Sequence, residues 1–405
     1  MATPFDPNRL TSLERRSALS LASIFALRML GLFLILPVFA VFAEQLPGGD
    51  DPFLVGLTLG IYGLTQGILQ IPFGMASDRF GRKPVIIVGL LIFIVGSVIS
   101  AIGHDIYTVM VGRAIQGAGA ISAAVTAMLS DSVRDRVITR AMALIGASIG
   151  LTFAFSLVAA PVLATYIGVQ GLFWLTAALS FLSIGVIVST PSPSVSQARA
   201  NAKHQPWYRI VFDPQLLRLN VGIFILHTAQ MALFVVIPVR LSELDLPVIN
   251  HWYIYLPTVL VSFVVMMPCI SRAERAGRLK QLYLIAISLL CCVFVGLHYF
   301  DVSLWAITTL LLFFFIGFNI LEASLPSLVS KTAPPADKGL ALGVFNTTQS
   351  IGLFVGGALG GWLSSRYGSS GVYLSGAVLM LLWLTFAFGM ANPVRHERGK
   401  EIDLN

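Results

Sequence analysis

The chain is written in long apolar blocks, each closed by charged residues or by Pro, Gly and Ser. Twelve blocks stand out, at roughly 17–43, 53–76, 85–103, 106–130, 141–165, 171–190, 215–242, 251–271, 281–299, 303–330, 340–365 and 371–391. A helix needs about 20 apolar residues to cross a hydrocarbon core of about 30 Å, so the pattern predicts twelve membrane-spanning helices. The first block is too long for a signal-peptide core and is not followed by a small-x-small cleavage site, which marks it as an uncleaved span.

Composition sharpens this. Of 405 residues, 56% are hydrophobic and 11% charged, against about 25% charged in soluble proteins, which excludes a water-soluble globule. Twelve crossings take up about 240 residues, and what remains is spread over loops and tails. The net charge is +7, and its placement matters more than its size. Arg9, Arg15 and Arg16; Arg79, Arg82 and Lys83; Arg134, Arg136 and Arg140; Arg199, Lys203 and Arg209; Arg272, Arg275, Arg278 and Lys280; Lys331 and Lys338; and Arg395, Arg398 and Lys400 all fall in alternate segments, while the intervening segments hold only Arg240 and Arg366. By the positive-inside rule both termini are cytoplasmic, as an even span count requires, and nucleic acid need not be invoked. Cys269, Cys291 and Cys292 lie inside apolar runs, and the six His are scattered without zinc spacing, so no disulfide, metal or cofactor is expected.

The longest gap, 191–214, contains Pro191, Pro193, Ser194, Ser196 and Pro206 and falls at the midpoint. It reads as a cytoplasmic linker between an amino-terminal bundle, 1–190, and a carboxy-terminal bundle, 215–391, with 392–405 as a tail. The loop after the second block, Ser77-Asp78-Arg79-Phe80-Gly81-Arg82-Lys83, is echoed after the eighth by Ala273-Glu274-Arg275-Ala276-Gly277-Arg278-Leu279. Acid, Arg, any residue, Gly, Arg recurs in the same place, and Ala143-Leu144 is echoed more weakly by Ala341-Leu342. The repeat is parallel, six helices plus six.

Gly74-Met75-Ala76-Ser77-Asp78-Arg79-Phe80-Gly81-Arg82-Lys83 resembles the G-x-L-A-D-R-x-G-R-K loop of the major facilitator superfamily, departing only at Ala76 and Ser77. Arg113-Ala114-Ile115-Gln116-Gly117-Ala118-Gly119-Ala120 resembles the R-x-x-Q-G-x-G-A motif of its proton-coupled branch. Leu30-Gly31 with Leu36-Pro37-Val38 resembles the first span of the twelve-span drug:proton antiporters. Ile61 to Gln66, Gln70 to Gly74 and Asn319 to Ser327 resemble the YajR-like exporters. The resemblance covers essentially the whole chain. It implies an all-α membrane protein with the major facilitator fold, working in a bacterial cytoplasmic membrane. Two departures stand out. Where the antiporter motif of the fifth span carries glycines ending in Gly-Pro, this chain has Ala147, Ser156, Ala160 and Pro161. The chain also stops soon after Lys400, so the soluble carboxy-terminal domain associated with those relatives is expected to be missing.

An ionisable group at bilayer depth costs several kcal/mol unless it faces a cavity or a partner. Arg28, Arg113 and Glu322 are such groups, and Glu322 is the only acid within the twelve blocks, with Asn319 on the same helical face. A proton carrier has to balance the cost of burying its charge against a neighbouring cation; the competing reading of Glu322 is a permanently paired structural charge. Arg113 lies beside Gln116, Gly117 and Gly119. It is either a coupling residue, as the resemblance implies, or a donor to backbone carbonyls of the first span. Arg28 can meet an anionic substrate, a carboxylate or a carbonyl. Tyr62, Gln66 and Gln70, His227 and Gln230, and Asn346 and Gln349 recur at helical spacing, forming polar faces that suit a central cavity better than lipid. Gln116 and Asn319 join that candidate lining, and His227 reads equally as a packing histidine.

In the signature loop, Gly74 and Gly81 permit close approach and a tight turn. Arg79, Arg82 and Lys83 satisfy the positive-inside rule, but Asp78 needs another explanation. It can accept from the start of another helix, where free N–H groups favour an anion. By family likeness that helix is the eleventh span, and Arg82 pairs with Asp131, making a gate that holds the outward-open state. The function expected is secondary active transport by a monomer in the lipid bilayer, by proton-coupled efflux of small apolar or amphipathic compounds; the alternative is proton-coupled uptake of a nutrient or metabolite. An ATP pump is disfavoured by the lack of a G-x-x-x-x-G-K-[ST] loop. An enzyme is disfavoured by the lack of a recognisable nucleophile, base and orienting group.

Overall fold

A computed structural model describes residues 10–134, 137–191, 206–334 and 337–390. Its helices are α1 (Ser12–Phe33), α2 (Phe39–Ala43), α3 (Pro52–Phe80), α4 (Arg82–Ile102), α5 (Ile106–Ala118), α6 (Ser122–Ser132), α7 (Ile138–Ser189), α8 (Trp207–Val211), α9 (Pro214–Glu243), α10 (Trp252–Arg275), α11 (Leu279–Phe300), α12 (Leu304–Thr332) and α13 (Lys338–Phe388). The tail at 392–405 and most of the linker, with Ser196, Arg199 and Lys203, lie outside the described residues, as do Arg9 and Arg136.

Among the described residues, ten helical stretches are long and apolar enough to cross a membrane. Two of them, α7 and α13, have 52 and 51 residues; straight, each would measure about 77 Å, more than twice the hydrocarbon core. Each instead doubles back at one glycine, Gly168 (φ 67°) and Gly368 (φ 63°), in a backbone region that residues with a Cβ rarely adopt. The result is twelve crossings in two pseudo-symmetric six-helix bundles. Short loops were the expectation at both places; the structure reduces them to corners, which occupy matching positions in the two halves.

Two other expectations are corrected in detail. The first span is not one helix: it stops at Phe33 and resumes at Phe39, because Pro37 in the intervening turn has no N–H to continue the ladder. The fourth divides between α5 and α6, where a Cβ on Gly119 would lie 2.4 Å from the Gly89 carbonyl oxygen. Close contact with α4 thus takes the place of helix continuity. The described end of the linker is also not coil, since α8 carries exposed Trp207 and Tyr208, side chains suited to a membrane interface.

Caps fix where the helices begin. Asp51 accepts from the Phe53 N–H at 2.9 Å ahead of Pro52, and Asp213 accepts from the Gln215 and Leu216 N–H groups at 2.9 Å ahead of Pro214. At α1, Thr11 and Glu14 cap each other. Glu14 sits in the first turn of α1, nearly buried, where its carboxylate accepts from Nε and Nη2 of Arg134 at 2.8 and 3.0 Å. This two-point contact holds α1 to the segment between α6 and α7.

The two bundles meet most closely along α3 and the first arm of α13. A Cβ on Gly56 would stand 2.1 Å from the Gly357 carbonyl oxygen, and one on Gly63 would stand 2.4 Å from that of Ser350. These backbones touch directly, as small residues allow in membrane helices. Toward the ends that carry the basic loops the contact is lost: a Cβ on Gly146 or Gly150 of α7, or on Gly339 or Gly343 of α13, would meet nothing within 4 Å. The molecule is therefore sealed at one end and split at the basic end.

Candidate transport site and gate

Aromatic side chains floor the split. Phe153 of α7 packs its ring against Phe33 at 5.1 Å and, across the divide, against Phe234, Phe315 and Phe318 at 6.4, 6.3 and 6.0 Å. One turn from Phe318 along α12, on the side of the basic end, lies Glu322, whose side chain is 30% exposed. Its side chain is thus partly exposed, although Oε2 is buried.

Three side chains converge there. Gln349 of α13 donates through Nε2 to His227 Nε2 at 2.7 Å and to Glu322 Oε1 at 3.3 Å. His227 Nδ1 lies 3.2 Å from the Ile223 carbonyl oxygen, so the network assigns the ring proton to Nδ1 and leaves Nε2 accepting. Glu322 Oε2 lies 3.6 Å from His227 Nε2 and is buried without a hydrogen-bond partner. Among the described residues no arginine forms an ion pair with Glu322; its neighbours are a histidine and an amide. The structure thus brings together Glu322, His227 and Gln349 from three helices.

A second polar cluster lies in the amino-terminal bundle. Arg28 donates to Ser122 Oγ and to the Tyr62 hydroxyl, both at 2.9 Å. Arg113 donates to Gln116 Oε1 at 3.0 Å and lies 4.8 Å from the Tyr62 ring centre, and Gln116 donates to Ser97 Oγ at 2.7 Å. The partner of Arg113 is a side-chain amide and an aromatic face, where carbonyls of the first span were one expectation. Ser97, Ser122 and Thr176, which bonds Ser97 at 3.3 Å, carried no sequence signal.

Other expected lining residues are used differently. Asn319 donates to Ser262 Oγ of α10 at 2.8 Å, so it braces its own bundle and does not pair with Glu322. Gln116 is likewise satisfied within its own half. Gln66 and Gln70 are buried, with Gln66 Oε1 and both terminal atoms of Gln70 unpartnered. Gln230 is buried, while Asn346 and Gln349 are half-buried.

At the signature loop, Arg82 Nε meets Asp131 Oδ2 at 2.9 Å and its Nη1 donates to Ser77 Oγ at 2.7 Å. Asp78 is exposed and also paired with Arg82, so the contact with the start of the eleventh span is not among those the carboxylate makes in this split state. Gly81 (φ 92°) turns the chain from α3 into α4, as Gly277 (φ 67°) does between α10 and α11; Gly74, Arg79 and Lys83 complete the loop.

Twelve crossings, a parallel repeat and polar clusters at mid-depth define a polytopic membrane protein built as two repeats around a central divide. The chain belongs to the Major Facilitator Superfamily, whose profile matches residues 21–357 and 321–404. It is 40% identical over 388 residues to the inner membrane transport protein YajR of Escherichia coli (strain K12), covering 95% of this chain and 85% of that one. It is 28% identical over 364 residues to the multidrug resistance protein MdtH of Proteus mirabilis (strain HI4320), covering 83% and 84%. Its fold matches the crystal structure of a D-xylose–proton symporter with a TM-score of 0.74, at 15% identity and covering 94% and 99% of the two chains. The protein is a multi-pass membrane transporter of this superfamily.

Proposed function

We propose that the protein is a monomeric secondary transporter that works by alternating access and couples proton movement to efflux of small apolar or amphipathic compounds. The observation that carries this is Glu322, a partly exposed acid inside α12, one turn from the Phe153–Phe318 contact that joins the two bundles. A group reached from one side at a time is what proton-driven transport needs. The name of the MdtH relative supports the direction of efflux. The small residues at Ala147, Ser156 and Ala160, where antiporters carry glycines, favour the second reading, proton-coupled uptake of a nutrient or metabolite. Proteoliposomes separate the two: under an imposed pH gradient, a fluorescent amphiphile moves against the proton flux in an exporter, whereas a labelled sugar or amino acid moves with it in an importer.

The moving bodies in this proposal are residues 1–190 and 215–391, joined by 191–214, with both termini and the tail 392–405 in the cytoplasm of a bacterium. Cysteines placed at Ser77, Ser196 and Lys400 should then be labelled only from the cytoplasmic side, and those at Gly48 and Leu246 only from outside. Labelling of Gly48 from the cytoplasm would invert the topology. The gate is the second element. Asp78 is free of the eleventh span in the inward-split state and docks on its start when the basic end closes. Arg82→Ala and Asp131→Ala should each lower turnover but combine non-additively, with a coupling of about 1–2 kcal/mol in a double-mutant cycle. Simple additivity would remove Asp131 from the gate.

A further inference from the structure

Arg28 and Arg113 are 1% and 0% exposed, and both lie against one tyrosine, with their guanidinium carbons 6.0 and 4.8 Å from the Tyr62 ring centre. Neither forms an ion pair among the described residues. The groups that meet them are Ser122 Oγ, the Tyr62 hydroxyl and ring, and Gln116 Oε1. Glu322, the acid at mid-depth, belongs to the other bundle and faces His227 and Gln349. Two like charges at this depth, with no ion pair among the described residues, are costly, and each buried donor left unmade adds to the cost.

The unmade donors have a shape. Nε of Arg28, and Nε and Nη2 of Arg113, are buried with no partner. In Arg113 these two nitrogens form the side edge of the guanidinium, the parallel two-donor fork that matches the two oxygens of a carboxylate. The chain shows the same fork occupied elsewhere: at Arg134, Nε and Nη2 hold Oε1 and Oε2 of Glu14 at 2.8 and 3.0 Å. At Arg113 the fork is set at mid-depth with no side-chain acid to fill it.

Further unpartnered groups lie nearby. Gln66 and Gln70 follow Tyr62 along one face of α3 toward the basic end, about 12 Å in two turns, and Gln66 Oε1 and both terminal atoms of Gln70 are buried without partners. A line of unsatisfied amides ending at two unpaired cations suits a polar head moving inward and leaves no place for a second cation.

We infer that Arg28, Tyr62 and Arg113 recognise an acidic group, a carboxylate or similar oxyanion, on the compound that the protein moves. This rests on the transport reading above and gives it a substrate class, amphiphilic organic acids. Arg113 takes the oxyanion on its side edge, and Arg28 supplies charge while holding the Tyr62 hydroxyl.

The test needs neither membrane nor gradient, so its failure is distinct from a failure of proton-driven transport. Full-length protein in detergent, in a buffer free of phosphate, is titrated with benzoate, 1-naphthoate and decanoate, with the matching amides, and with inorganic phosphate, and binding is read by calorimetry and thermal shift. At least one carboxylate should bind and raise the melting temperature, while its amide binds at least tenfold more weakly. Arg113→Lys, which keeps the charge but loses the fork, should weaken the carboxylate at least tenfold, and Tyr62→Phe severalfold. Should Arg113→Lys fail to fold, Arg28→Gln and Tyr62→Phe carry the same comparison. Equal binding of acid and amide, no binding by any carboxylate, or variants that bind as wild type would overturn the assignment. A response to inorganic phosphate alone would overturn the organic-acid class and leave a free-phosphate site.

Discussion

Proteoliposomes carrying Glu322→Gln are expected to exchange substrate across the membrane but not to concentrate it. One pH unit supplies about 1.4 kcal/mol, enough for about a tenfold concentration ratio at one proton per substrate; in the variant the ratio should fall to unity. A gradient does work only through a group that takes a proton on one side and releases it on the other. Arginine is not a proton carrier in proteins, so Arg28 and Arg113 can tune a carrier without being one. Glu322 is partly exposed and lies one turn from the Phe153–Phe318 contact between the bundles, a placement that suits alternating access. Gln keeps the volume and hydrogen-bonding capacity of the protonated acid, so the variant mimics the loaded form. It retains Gln349 as a neighbour, and folding should be little affected. Accumulation that persists in the variant would place the carrier elsewhere, and His227, within the same network, would be tested next. His298, in the ninth predicted span, is bonded to exposed Ser370, away from this site.

The second large effect is expected from Gly357→Val. A Cβ there would lie 2.3 Å from the Gly56 carbonyl oxygen, and because that neighbour is backbone it cannot swing aside. The two helices have to separate at the sealed end, which costs about 1–3 kcal/mol or more as overpacking. That cost falls only on the state in which this end is closed, so the variant should favour the opposite state and lose transport while remaining folded. Spin labels read the shift. A pair at exposed Asp50 and Ser365 should move apart and a pair at Met75 and Leu340 should move together, relative to the parent protein. Unchanged distances with full transport would show that this seam does not govern the equilibrium.

The twelve crossings were legible because hydrocarbon thickness imposes a length on every span, and the three buried charges were legible because apolar text makes a single Arg or Glu conspicuous. The breaks at 166–170 and 366–370 were legible as well, but not that each would shrink to a one-residue corner, where only the backbone angle at Gly168 or Gly368 reverses the chain. The partners of the charges were hidden for a different reason. Ser97, Ser122 and Ser262 look like any small residue in a helix, where a hydroxyl can bond its own carbonyls, and only the packed neighbour shows which way each one serves. For the same reason Gln116 and Asn319 were expected to line a cavity but are held inside their own bundles. Periodicity gives the face of a helix, not which neighbour that face meets.

The one-residue corners at Gly168 and Gly368 also determine what the bilayer experiences. With no loop between them, the two arms of α7 are joined directly, and so are those of α13. The first arm of α7 carries Phe153 at the divide; the second presents Phe181, Leu182 and Val188, all largely exposed on the outer surface. Any rocking that opens or closes the split therefore sweeps that second arm through the surrounding acyl chains. In the alternating-access cycle proposed above, the work would be shared with the lipid, and turnover would be sensitive to membrane thickness and lateral pressure as well as to the chemistry at the centre.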